Sequence, residues 1–311
     1  RISPESPEAN IIGHAADNLA SGGLVAFPTE TVYGLGATAL NPKAVQKIFT
    51  AKGRPSTNPL IVHVGSLGEA KELVSDWPKN AELLAEAFWP GPLTLVLRKN
   101  ARIPAEVTGG GATVAIRVPA HAVALALIHA AGPLAAPSAN RSGSVSAVRA
   151  EQVEKDLGEE VKMILDAGQT TGGIESTVLD VTVTPPRLLR PGLVSVADIE
   201  RIIGTIDVES TKESLQGPLP SPGMLKKHYA PKTKMILGTR NDAQGRTCLS
   251  IGFETGNDIV MPRDPSQYAG RLYDALHQLD TRNAELIVCE PVPETNEWLA
   301  VRDRLQRATS T

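Results

Sequence analysis

Lys52 and Arg54 flank Gly53 and run into Pro55-Ser56-Thr57-Asn58-Pro59. Cations, hydroxyls and an amide on a stretch stiffened by prolines suit an anion such as a phosphate group. Upstream, Pro28-Thr29-Glu30-Thr31-Val32-Tyr33-Gly34-Leu35-Gly36 reads as a turn leaving a short apolar run. Downstream, Thr108-Gly109-Gly110-Gly111 leads into Thr113-Val114-Ala115-Ile116-Arg117-Val118. Arg117 is a lone charge among apolar and small neighbours there, and a charge in a buried strand needs a partner. Ala135-Ala136-Pro137-Ser138-Ala139-Asn140-Arg141-Ser142-Gly143 packs small hydrogen-bonding side chains after another apolar run, and Ser146 follows. Gly172-Gly173-Ile174-Glu175-Ser176-Thr177-Val178 enters a strand, and Leu188-Leu189-Arg190-Pro191-Gly192 leaves one. His63, within Ile61-Val62-His63-Val64, reads on its own as a satisfied core histidine. No Ser-His-Asp set, paired-carboxylate set or activated cysteine appears in these stretches, and neither Glu30 nor Glu175 is marked as a base. Any catalysis is expected to rest on positioning and electrostatic stabilisation.

The elements that must hold these residues are legible as short apolar runs alternating with amphipathic stretches. Leu24-Val25-Ala26-Phe27, ended by Pro28, reads as a buried strand. Asn41-Pro42 reads as a helix start, with Asn as N-cap and Pro at the first helical position. Ala44, Val45, Ile48 and Phe49 give that helix one apolar face. It is expected to stop before Gly53, leaving Lys52 and Arg54 on a loop. Strands are expected over 24–27, 60–64, 93–97, 113–118, 134–136, 163–165, 177–183 and 187–190. Helices are expected over 9–20, 42–50, 68–74, 79–88, 120–131, 149–157 and 195–203. This alternation predicts an α/β fold, a twisted sheet covered by helices. Gly217-Pro218-Leu219-Pro220-Ser221-Pro222-Gly223 predicts an extended linker. Beyond it, strands over 235–237, 247–252 and 285–289 with helices over 266–279 and 295–308 predict a small C-terminal α/β, Rossmann-like domain. The expected division is 1–206, a connecting linker or lid over 207–234, and 235–311.

A chain of 311 residues accommodates two cores. With 41% hydrophobic residues and a net charge of −3, it reads as a globular protein without the basic excess of a tight nucleic-acid binder. Cys248 and Cys289 lie in apolar contexts and read as buried strand residues of a reducing compartment, not zinc ligands. No apolar run reaches the roughly 20 residues that span a bilayer, and no signal peptide is visible, which predicts a cytoplasmic protein.

The text Pro28 to Gly36, followed by Ala51-Lys52-Gly53-Arg54-Pro55-Ser56-Thr57-Asn58-Pro59-Leu60-Ile61-Val62-His63-Val64, resembles the YrdC/Sua5 family of threonylcarbamoyl-AMP synthases. The resemblance covers residues 9 to about 205, and a second match at Ser221-Pro222-Gly223-Met224 marks the two-domain Sua5 type. It implies a mixed sheet forming a wide concave cleft. It implies ATP contacts from Lys52, Arg54, Asn58, Thr113, Ser138, Asn140, Ser146, Arg190 and Tyr229, with Lys52 and Arg54 acting on the phosphates. It also implies a threonine and carbamate pocket of Thr31, His63, Arg117, Ala136 and Ser176. The C-terminal domain carries no readable motif.

The implied reaction condenses L-threonine, bicarbonate or CO2, and ATP into threonylcarbamoyl-AMP and pyrophosphate, for the tRNA base N6-threonylcarbamoyladenosine. Mg²⁺ is expected to arrive with ATP, without protein side-chain ligands. The product is expected to pass to a tRNA threonylcarbamoyl-transferase complex, with weak or no direct tRNA binding and no membrane partner. The segment through His228 and Tyr229 is expected to fold across the cleft as a lid, since a carbamate and its anhydride need protection from water. A double-stranded RNA or ribosome-binding module is the alternative, though Arg117 and the Ser138 loop have no obvious use on an RNA backbone. A carbamoyl-phosphate enzyme is a second alternative; its relatives carry acylphosphatase and zinc-finger modules.

Overall fold

The computed structural model describes residues 1–208, 228–239, 241–243, 246–251 and 258–310. The expected linker stretch 217–223 lies outside them. In chain order the first elements are α1 (Ala9–Ala20), β1 (Val25–Pro28), β2 (Tyr33–Thr38), α2 (Pro42–Lys52), β3 (Ile61–His63), α3 (Leu67–Lys71) and α4 (Lys79–Phe88). Next come β4 (Leu93–Arg98), α5 (Ala105–Thr108), β5 (Thr113–Arg117), α6 (Ala122–Ala131), β6 (Leu134–Ala135), α7 (Ala150–Leu157), β7 (Thr177–Asp180), β8 (Arg187–Arg190) and α8 (Val196–Ile203). The C-terminal elements are β9 (Lys234–Leu237), β10 (Thr247–Ser250), β11 (Asp258–Val260), α9 (Pro265–Asp280), β12 (Leu286–Cys289) and α10 (Leu299–Thr309).

Among the described residues, strands form an eight-stranded mixed sheet in the order β1-β2-β6-β3-β5-β4-β7-β8 and a second sheet in the order β11-β10-β12-β9. Every pairing in the second sheet is parallel, as a Rossmann-like arrangement requires. One face of the large sheet packs Leu35, Val62, Leu95 and Ile116 against α2, α4 and α8. The other buries Val25, Phe27 and Leu134 under α1 and α6. A third core joins the C-terminal helices to Val32, Val145, Val148 and Ile174, all of which belong to the larger unit's loops. The C-terminal unit is therefore seated on the loops that carry the polar motifs.

Three expectations are corrected. The stretch read as a turn after Pro28 contains β2, paired antiparallel with β1. Glycines are unusual in strands, but a β-carbon at Gly36 would sit 2.8 Å from the Phe27 ring, so the close ring contact selects glycine there. Residues 163–165 form no strand: Ile164 makes one isolated bridge to Ala26. Lys52 is the last residue of α2, not a loop residue. β11 and the single turn α5 were not expected, being too short to show a periodicity.

Candidate active site

Helix α2 begins as its sequence demands: the Asn41 side chain accepts hydrogen bonds from the Lys43 and Ala44 amides, with Pro42 at the first position. At its other end Lys52 is buried, and its ammonium donates to the Ser138 carbonyl at 2.5 Å and to the Asn140 carbonyl. Burial pushes its pKa well down, and the Arg54 cation adds to this. Lys52 thus clamps the 138–140 loop against α2. Arg54 donates through Nη2 to Asn58 Oδ1 (2.6 Å) and the Pro59 carbonyl (2.8 Å), and through Nε to the Asn58 carbonyl (3.1 Å). Asn58 therefore orients Arg54.

The parallel register of β3 and β5 sets His63 beside Arg117. Burial, reinforced by the Arg117 cation, lowers the His63 pKa to about 3, so the ring is neutral. Arg117 donates to the Gly91 carbonyl (3.1 Å) and the Thr31 hydroxyl (3.1 Å). Its remaining terminal nitrogen lies 2.6 Å from Glu30 Oε1.

Arg190 donates through Nε and Nη2 to the Ser176 carbonyl at 3.1 and 3.0 Å, and through Nη2 to its hydroxyl at 3.1 Å. The turn after Arg190 needs glycine at 192, where a β-carbon would lie 2.3 Å from the Thr177 backbone nitrogen. Glu175 is buried and accepts from Ser146 Oγ at 2.5 Å. Its other oxygen accepts from the Tyr273 hydroxyl and Arg304 Nε, both at 2.9 Å. Burial alone would raise this carboxyl, but the Arg304 and Arg190 cations and the Ser146 bond prevail and hold it near 2.

These loops line a partly open cleft. Of the expected residues, Thr31, Arg54, His63, Arg117, Ala136, Ser138, Ser176, Arg190 and Tyr229 line it. Lys52, Asn58, Asn140 and Ser146 act through the bonds they make behind that wall. Thr113 begins β5 opposite Arg98 and is not part of the lining. Among the described residues, the Tyr229 hydroxyl, His63 Nδ1, His228 Nδ1 and Asn140 Oδ1 are buried without a hydrogen-bond partner, a pattern suited to a polar ligand. Tyr229 stacks on Tyr273 with centroids 5.9 Å apart.

The sequence reading missed Arg304 and Tyr273. A signal for the first existed: Arg304 falls on the stripe Val301, Arg304, Leu305, Ala308 of α10, a charge on an apolar helix face.

Residues 17–192 match the Sua5/YciO/YrdC family, described as "Telomere recombination". Residues 194–310 match "Threonylcarbamoyl-AMP synthase, C-terminal domain". The chain is 41% identical over 315 residues to a Pyrococcus abyssi protein named threonylcarbamoyl-AMP synthase, covering 95% of this chain and 93% of that one. A Bacillus subtilis protein of the same name is 40% identical, with 96% and 92% covered. The crystal structure of P. abyssi Sua5 complexed with L-threonine is similar with a TM-score of 0.92 at 40% identity, over 99% of this chain and 96% of that one. Sharing both matched regions and the mixed-sheet cleft between them, the chain belongs to the Sua5/YrdC family in its two-domain Sua5 form.

Proposed function

We propose that this chain is an L-threonylcarbamoyladenylate synthase, condensing L-threonine, bicarbonate or CO2, and ATP into threonylcarbamoyl-AMP and pyrophosphate. The observation that carries this reading is one cleft lined by three buried arginines, Arg117 bonded to Thr31, and Arg54 near enough to Arg190 for their charges to act on each other. It is supported by relatives bearing that enzyme's name over nearly the whole chain. The role in making the tRNA base follows from the family.

Threonine is assigned to the Arg117 end. Its carboxylate would take the guanidinium now facing Glu30, beside His63, Thr31, Ala136 and Ser176. The nucleotide is assigned to the Arg54 and Arg190 side, with phosphates facing these two and the Ser138 loop that Lys52 clamps, and with Asn58, Asn140 and Ser146 supporting. Thr113 is proposed only as a contact at the margin. The threonine amine captures CO2 and loses a proton to give the carbamate. A carbamate oxygen then attacks the α-phosphorus, and the bond to pyrophosphate breaks. Arg54 and Arg190 stabilise charge on the phosphates, and Tyr229 with His228 shields the anhydride from water.

Among the described residues, no group of three or more His, Cys, Asp or Glu could hold a metal, and Glu30 and Glu175 are both paired with arginine. Mg²⁺ is proposed to arrive with the triphosphate, where it would offset phosphate charge. We assign 1–206 to the catalytic unit, 207–234 to the connecting segment and 235–311 to the C-terminal unit. No helix among the described residues is long and apolar enough to cross a membrane. A tRNA threonylcarbamoyl-transferase is the proposed recipient of the product, and the cytoplasm the proposed location. The RNA-binding alternative finds no support in the relatives.

Pyrophosphate release that requires both threonine and bicarbonate tests the assignment. Release that is indifferent to threonine would refute it.

A further inference from the structure

The C-terminal unit sends one charge into the wall of the cleft. Arg304 is 1% exposed. Its Nε donates to Glu175 at 2.9 Å, Nη1 to Asp303 at 2.7 Å and Nη2 to the Pro191 carbonyl at 3.0 Å. Its guanidinium also lies 4.8 Å from the centre of the Tyr229 ring. A domain contact needs no buried arginine for adhesion, since desolvating the guanidinium offsets much of what its ion pair contributes. The contact must be read through what Arg304 touches. Glu175 and Tyr229 line the cleft, and Pro191 follows Arg190.

We propose that Arg304 is a positioning residue for nucleotide binding, supplying from behind the cleft wall the counter-charge that lets Glu175 and Tyr229 stand beside a phosphate-bearing ligand. The inference rests on the assignment of ATP to this cleft. An uncompensated carboxylate at Glu175 would repel phosphates drawn in by Arg54 and Arg190. Arg304 neutralises it without occupying space in the cleft, while Ser146 and Tyr273 hold the carboxylate oxygens in place. Arg190, Lys52, His228 and Tyr229 also face Glu175, but Arg190 stands where phosphates would draw on its charge, and the Lys52 nitrogen is held by the Ser138 and Asn140 carbonyls. The C-terminal unit thereby contributes to a site whose lining comes from the larger unit and the connecting segment.

The test is a pair of affinities measured by calorimetry on the full chain, one for ATP and one for threonine. Arg304→Met should weaken ATP binding by about tenfold or more, as expected when a buried charge beside a ligand loses its partner, and leave threonine binding unchanged. Adding Glu175→Gln to Arg304→Met should recover most of the ATP affinity, because the unpaired charge is gone. Equal losses for both ligands, or no recovery in the double variant, would reduce Arg304 to packing and overturn the proposal. Should Arg304→Met fail to fold, Arg304→Lys keeps the charge but not the fork; it should lose ATP affinity several-fold with threonine affinity intact, and equal losses would again overturn it. If ATP binding depends on Arg304 yet no pyrophosphate is released with threonine and bicarbonate, the activity is wrong and this inference stands. If ATP does not bind the unaltered chain, both fall.

Discussion

The Glu30 carboxylate lies 2.6 Å from the Arg117 guanidinium, at the end of the cleft assigned to the threonine carboxylate. Both side chains are largely buried, at 14% and 4% exposure. An internal carboxylate thus stands where a substrate carboxylate is expected. Arg117→Ala should cost threonine binding roughly 2–5 kcal/mol, the usual range for removing one side of a buried charge pair. Glu30→Gln should act in the opposite direction, tightening threonine binding because the competitor is gone. Titration calorimetry with threonine checks both; a weaker Glu30→Gln complex would refute the competition.

Lys52 joins two elements. With its ammonium on the Ser138 and Asn140 carbonyls, Lys52→Met leaves two acceptors without their donor. Unsatisfied buried groups cost roughly 1–3 kcal/mol each, so this variant should unfold at a lower temperature as well as lose ATP affinity. A variant that is slow in pyrophosphate release but unchanged in thermal unfolding would show that Lys52 serves only the phosphates.

Acid should loosen the fold in two stages. His63 and His228 are both pushed to about 3, burial being the main cause, while an unfolded histidine titrates near 6.5. Between those values the unfolded chain binds protons that the folded chain refuses, so stability falls as pH drops from about 6.5, by about 1.4 kcal/mol per pH unit for each ring. Glu175, ordinarily near 4.5 and held near 2, contributes stability above 4.5 that is lost on going down toward 2. Unfolding free energies measured from pH 7 to 4 should show the first slope, and His63→Gln should remove about one proton's share of it. An unchanged slope would mean that His63 is charged in the folded state.

Tyr229 brings a buried hydroxyl to the cleft, while its ring contacts Tyr273 and Arg304. Tyr229→Phe keeps the ring contacts and should weaken ATP binding by about 1 kcal/mol if the hydroxyl meets the nucleotide. Tyr229→Ala should lose more and should let water hydrolyse the anhydride product. Product half-life, followed by chromatography, separates the two effects. Equal half-lives with Tyr229→Ala and the unaltered chain would remove the lid role.

What the sequence determined by itself is what lies close along the chain. The Asn41-Pro42 cap, the apolar face of α2, the strand before Pro28 and the lone Arg117 within β5 are each specified by neighbours within a turn or two, so their physics is local. Most of the cleft lining was legible for a related reason: its residues sit at strand ends, where small and polar side chains interrupt apolar runs. β2 was not legible, because its Gly36 answers to the Phe27 ring on the neighbouring strand. The contacts of Lys52 with the 138–140 loop were not legible, since its carbonyl partners lie 86 and 88 residues away. Glu30 as the partner of Arg117 was undecided for the same reason. Arg304 shows the limit most plainly. Its position on α10 announces a buried charge, yet the identity of its partner, Glu175, is 129 residues off. Burial makes a charge demand a partner, but only the folded chain decides which one lies within reach.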